Sequence, residues 1–420
     1  MDVLVVDVIG DVALVILVSL LFGSLARAIG QPTVVGQITA GVLLGPSALG
    51  RLPGHLTSRL FPHPALPALS ALAQVAVVIF MFAVGYELDR RPMDGRRRVS
   101  LVATCALVVP MAMGSGTALI FRSLFAALGT HVSQSFVLFI GVAMAITALP
   151  VLAAIIRERD LAGSVSAVTA TSAAGIMDVS AWLILAVVLA DAAQRQSRPW
   201  PVTVLLFGSF VLIMLLAVRP GLRWWIRRRP SVLSNQLPVA LALAMGSAWI
   251  TSSLGLHPVF GGFLAGLTFP SADGVPDADL LRPTEEIGGL LLPLFFVVTG
   301  LSVNLGVLND AAFLLLALVC AIASVGKLGP AYLASRLGGL GRQDSAIVAV
   351  LVNTRGLTEL IALNVGLTAG LINEQVFSVL VLMALITTAT TAPLLSLLGP
   401  PAGSKALTDH RLASPASLSE

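Results

Sequence analysis

The chain has 420 residues, of which 57% are hydrophobic and only 11% charged. Soluble domains carry about 25% charged residues, so a soluble enzyme is excluded and a polytopic membrane protein is implied. The net charge of +4 comes largely from arginines in short loops; that bears on topology and lipid headgroups and gives no reason to expect nucleic acid.

A spanning helix needs roughly 20 apolar residues. The sequence predicts thirteen such spans: 8–28, 33–49, 66–88, 99–121, 134–156, 164–190, 202–226, 236–254, 256–270, 286–304, 311–335, 345–369 and 375–398. Spans two and nine are short and glycine-rich. The start, MDVLVVDVIGDVALVILV, has three aspartates and no basic stretch, which predicts a first span and not a cleaved leader. Cys105 and Cys320 lie inside apolar runs, and no disulfide or metal spacing exists. No cofactor is expected.

Lys and Arg accumulate in cytoplasmic loops. Loops after odd-numbered spans, with the C-terminal tail, hold 18 of the 25, including Arg90, Arg91, Arg96, Arg97, Arg98, Arg227, Arg228 and Arg229. Loops after even-numbered spans hold 5, and the last two, Lys327 and Arg355, lie inside spans. This split predicts an outside N-terminus and a cytoplasmic C-terminus. Trp224 and Trp225 beside the arginine run suit a membrane interface.

Two triplets of spans, four to six and eleven to thirteen, start an odd number of spans apart and so enter the membrane from opposite sides. The middle member of the first contains Thr147-Ala148-Leu149-Pro150, and that of the second Asn353-Thr354-Arg355-Gly356. Inverted repeats with interrupted helices in matching positions point to a transporter's midplane site. Pro150 removes an amide donor and Gly356 lowers the cost of unwinding. Two ordinary kinks are the alternative.

The sixth span carries one carboxylate, Asp178, with no basic residue within helical reach on its own segment. A charge there is costly unless it serves a pathway or finds a partner. Asp178 therefore reads as a group that binds a cation and a proton by turns, or as a structural aspartate hydrogen-bonded to a neighbouring helix. Lys327, deep in span eleven, needs a counter-charge, and Asp178 is the expected partner, in a pair that breaks when a cation arrives. The other possibility is that Lys327 snorkels to the cytoplasmic face. Arg355 and Glu359 share a helix face at i and i+4 and either neutralise each other or form a gate. Thr147 and Asn353 offer oxygens that suit a hard monovalent cation, Thr147 being the better candidate. Glu87 and Asp89, at the end of span three, read as solvated, and His257 as structural.

With these residues in place, the chain resembles monovalent cation:proton antiporters, the branch holding bacterial sodium or potassium/proton exchangers and plant cation/proton exchangers. The resemblance covers residues 10–400. It is carried by GQITAGVLLGPSALG at 36–50, FMFAVGYELD at 80–89, ITALPVLAAIIRERDL at 146–161 and MDVSAWLILAVVLA at 177–190. It continues through PVFGGFLAGL at 258–267, PLFFVVTGLSVNL at 293–305, GK at 326–327 and NTRGLTELIALNVGL at 353–367.

The resemblance implies an all-α fold with inverted repeats and two interrupted crossing helices. It implies an ion-binding core from 94–200 and 309–399, a panel from 1–93 and 231–308 and a linker helix at 201–230; the Ser-, Ala- and Pro-rich stretch at 400–420 reads from its composition as a disordered cytoplasmic tail. The resemblance matches the family's ion-binding Asp to Asp178, its broken-helix Thr to Thr147 and its buried Lys to Lys327. It also implies a multi-pass cell-membrane homodimer exchanging Na+ or K+ for H+, with no enzymatic activity. Two departures stand out. Met177 occupies the position where the family has a second acid or Asn, which predicts one carboxylate and electroneutral exchange; and no cytosolic regulatory domain is expected. Rival readings are a channel or efflux pore on the same scaffold, or a sensor impaired in transport.

Overall fold

A computed structural model of the chain describes all residues except 1–2, 52–55, 63, 88–94, 160, 162, 193–199, 229–235, 255, 272–275 and 400–420. The expected tail at 400–420, and Asp89 with the arginines beside it, therefore lie outside the described residues. Those described are nearly all helical, with no strand among them.

The first quarter of the chain forms α1 (Val3–Ala28), α2 (Thr33–Leu44), the short α3 (Leu56–Leu60) and α4 (Leu66–Glu87). Next come α5 (Arg96–Ile120), α6 (Arg122–Ala127), α7 (Gln134–Ala145), α8 (Leu149–Glu158) and α9 (Val165–Ala192). A long helix follows as α10 (Trp200–Ile213) and α11 (Arg219–Arg228), joined by a π-helical turn at Met214–Val218. Then come α12 (Gln236–Ser253), α13 (Pro258–Thr268) and α14 (Ala278–Leu301). The last quarter forms α15 (Asp310–Leu337), α16 (Arg342–Val352), α17 (Leu357–Thr368) and α18 (Glu374–Leu398).

Among the described residues, ten helical runs are long and apolar enough to cross a membrane, and they fall on ten of the thirteen expected spans. The other three, 134–156, 236–254 and 256–270, are occupied by α7 with α8, by α12 and by the 11-residue α13. Helix α13 is short because both ends are set locally. His257 caps it with Pro258 at the first position, and the chain turns extended at Phe269. Helix α14 starts eight residues before the expected span. The Asp277 side chain accepts from the amide of Asp279 and nucleates a polar first turn that the apolar run does not contain.

The two triplets pack alike. Helix α5 lies against α7 and α9, as α15 lies against α16 and α18; α7 touches α9 as α16 touches α18. The triplets meet through α5 on α15 and α9 on α16. One apolar cluster joins residues of α5, α8, α9, α15 and α16, including Val102, Leu152, Met177, Ala331 and Val348. Another joins α4, α10, α12, α13 and α14, including Phe82, Phe210, Ala244, Phe269 and Leu280. Leucines exposed along α1, at Leu17, Leu20, Leu21 and Leu25, form a surface suited to lipid tails. Small residues let helices approach closely: a methyl group on Gly300 of α14 would come within 2.6 Å of the Gly41 Cα on α2.

Candidate functional site

Two expected spans are broken in the middle. Helix α7 ends at Ala145 and α8 begins at Leu149; α16 ends at Val352 and α17 begins at Leu357. Pro150 falls in the first turn of α8, where an amide has no intrahelical partner anyway. Gly356 takes φ +154°, ψ −126°, and a Cβ there would meet Val151 Cγ2 at 2.7 Å. The breaks cross and share hydrogen bonds. Thr147 Oγ1 donates to Val352 O at 3.1 Å, the Ala148 amide to Thr354 O at 3.1 Å, and Thr358 Oγ1 to Thr147 O at 3.0 Å.

A helix end leaves its last four carbonyls without intrahelical donors. At the end of α7, two buried cations supply them. Arg355 donates to Ala143 O at 3.0 Å and Met144 O at 2.7 Å; Lys327 Nζ donates to Ala145 O at 2.7 Å and Ile146 O at 2.5 Å. Both cations also sit where the helix dipole is negative. Arg355 and Glu359 form a fully buried ion pair at 2.7 Å, the mutual neutralisation expected from their spacing.

Lys327 does not snorkel, since it is 0% exposed. Nor is it ion-paired to Asp178 as expected. Among the described residues no such pair lies within 4 Å, although the two charges are close enough to act on one another. The reason is that the broken end of α7 offers Lys327 two carbonyls at hydrogen-bonding distance.

Asp178 sits on α9, 2% exposed, and neither carboxylate oxygen makes a hydrogen bond of ordinary geometry. Among the described residues, no side chain of a neighbouring helix donates to it. The one donor that approaches it is the backbone amide of Leu149, at the positive N-terminus of α8, and the Lys327 ammonium acts on it from further away. Asn353 Oδ1 is likewise buried without a donor, as is Glu359 Oε2. Buried acceptors without donors are costly, and a cation is one group that relieves several at once. Met177 packs in the apolar cluster of α8, α9 and α16. His257 is structural in part, its Nδ1 accepting from the Val259 amide.

A crevice of about 330 Å³ opens beside the crossing, lined by Thr33 and Gln37 of α2, Phe80 of α4, Phe296 of α14, Val151 of α8 and Leu357 of α17. Val151 and Leu357 lie within a turn of the breaks. Asp178 is not among the lining residues. One participant was not anticipated: Thr388 of α18, whose Oγ1 accepts from the Arg355 amide at 3.1 Å and donates to Arg355 O at 2.8 Å. The signal was the run Thr387-Thr388-Ala389-Thr390-Thr391, unusually polar for a spanning helix.

The family model described as sodium/hydrogen exchanger, transmembrane, matches residues 14–397. The chain belongs to this family. Its members are transporters and not enzymes, which bears out the resemblance carried by the sequence segments. The chain is 35% identical over 409 residues to Cation/H(+) antiporter 17 of Arabidopsis thaliana, covering 96% of this chain and 49% of that protein. It thus spans about half the length of the curated plant relatives it matches. It is 34% identical to Na(+)/H(+) antiporter NhaS4 of Synechocystis sp., over 92% of this chain and 96% of the relative. Its fold is similar to that of the sodium proton antiporter MjNhaP1 of Methanocaldococcus jannaschii, with a TM-score of 0.63 at 15% identity, covering 98% of this chain and 100% of that one.

Proposed function

We propose that the chain exchanges Na+ or K+ for protons across the cell membrane by alternating access, with Asp178 as the shared site. The observation that carries this reading is the Asp178 carboxylate, buried beside two broken helices with no side-chain donor on either oxygen. Asn353 Oδ1 and the lone pairs of Thr147 supply further oxygens for a hard cation. Lys327 and Arg355 hold the end of α7 in place and bring positive charge near the site, so that the cation is bound without being trapped. Protonation neutralises Asp178, and a neutral site crosses the bilayer interior at lower cost than a bare carboxylate. With Met177 offering a soft sulfur instead of a second oxygen ligand, one carboxylate carries either one proton or one cation. Exchange is then electroneutral.

In this reading the two triplets, 94–200 and 309–399, form a core that rocks against a panel from 1–93 and 231–308, linked by 201–230. The N-terminus is outside, and two copies associate as a homodimer. The similarity to proteins named Na(+)/H(+) and cation/H(+) antiporters supports the substrate class. The test is purified reconstitution with imposed pH and Na+ or K+ gradients. Asp178→Asn is expected to lower cation-dependent proton flux at least a hundredfold; retained flux refutes the assignment. A membrane potential generated by wild-type turnover refutes electroneutrality.

A further inference from the structure

A second space lies along the same helices, on the far side of an aromatic partition. Phe295 lines it, while the neighbouring Phe296 lines the wide crevice. Their rings meet edge to face with centroids 5.9 Å apart. The space holds about 50 Å³ and is lined by Ser70 and Gln74 of α4, His257 at the start of α13, Thr299 of α14 and Asn364 of α17. Asn364 is eight residues past Gly356, roughly 12 Å along α17 from the crossing at 1.5 Å per residue.

Five of the ten lining residues are polar, the others being apolar side chains such as Val77 and Ile361, and none is a carboxylate. Four of the five polar side chains offer a neutral oxygen. Thr299 is 0% exposed, yet its Oγ1 has no hydrogen-bond partner, whereas a helical threonine ordinarily bonds the preceding turn. The His257 Nδ1 is occupied by the Val259 amide, which orients the ring and leaves the oxygens as the available ligands.

We propose that this cavity is a second, carboxylate-free station for the transported monovalent cation, between Asp178 and the face opposite the wide crevice. It rests on the reading of Asp178 as the exchange site. Neutral oxygens can replace part of an ion's hydration shell while holding it weakly enough to release it. The station therefore strips water from the ion on its way in and passes it on when the core moves.

The test uses Ser70→Cys in the full chain with Cys105→Ala and Cys320→Ala, in sealed proteoliposomes. A membrane-impermeant methanethiosulfonate is applied to the face opposite the wide crevice. Labelling is expected to slow at least fivefold in Na+ or K+ relative to N-methylglucamine at equal ionic strength. Protection is expected to persist with Asp178→Asn added, and to disappear with Thr299→Val and Asn364→Leu added. Absence of labelling from that face overturns the proposal, as does equal labelling in all cations. Protection that vanishes with Asp178→Asn also overturns it, because the cation is then acting from Asp178. Exchange that survives Asp178→Asn while protection persists refutes the Asp178 reading and leaves the station standing.

Discussion

Asp178 and Arg355 illustrate opposite uses of a buried charge. The two terminal nitrogens of Arg355 donate to two α7 carbonyls and to Glu359, all within 3.0 Å. Removing one partner of a buried pair costs on the order of 3–5 kcal/mol because the other is left uncompensated. Arg355→Met strands a carboxylate and two carbonyls, whereas Glu359→Gln keeps an acceptor for the guanidinium. Thermal unfolding in detergent should show the larger drop for Arg355→Met; the reverse order would mean the α7 carbonyls are not held by Arg355. Asp178 is compensated far less: Lys327 and the Leu149 amide act on it without contacts as close as those Arg355 makes. A buried carboxylate with so few donors is a stability cost, so under the proposed function Asp178→Asn should stabilise the fold by on the order of 1 kcal/mol while abolishing exchange. Unfolding compared in N-methylglucamine at alkaline pH checks this, and a destabilised Asp178→Asn would mean that the Leu149 amide and Lys327 outweigh the cost of burying the carboxylate.

At the scale of elements, the two breaks were legible because Pro and Gly act locally: Pro150 and Gly356 sit within a few residues of where the helices stop. The partners of Lys327 were not legible. A sequence shows side-chain charge, so Asp178 was the visible counter-ion, while the four carbonyls at the end of α7 become acceptors only once the helix has stopped. Thr388 escaped notice for the same reason, since it serves backbone groups of another element. The close fit of the breaks gives a test. In Gly356→Ala the new methyl collides with Val151 Cγ2, at 2.7 Å, on a backbone that L side chains rarely adopt. The variant should lose several degrees of thermal stability and most exchange. Adding Val151→Ala removes the collision but not the backbone strain, so it should restore part of the loss. Strictly additive effects in this double-mutant cycle would mean that the contact is not made.

For the whole molecule, the spans and the two inverted triplets followed from hydrophobic runs and their order, which fix what must lie in lipid, while the packing of the triplets into one core came from the family resemblance. Relative movement of helices is not written in a hydropathy pattern, and there the crevice supplies the handle. Its walls come from two sets of helices, α2, α4 and α14 on one side and α8 and α17 on the other. If exchange requires these walls to slide past each other, tying them together must stop it. Gln37→Cys on α2 and Val151→Cys on α8 place one thiol on each wall. In the background lacking Cys105 and Cys320, a bifunctional thiol reagent that spans the crevice should lower exchange at least tenfold. Cleaving the linker by reduction should restore it, and neither single variant should respond to the same degree. A static pore could be plugged by the reagent but would respond equally to a monofunctional analogue of similar bulk. Equal inhibition by the two reagents would therefore sink the moving-core reading, as would full exchange in the cross-linked protein, since ions would then cross between walls that cannot move apart.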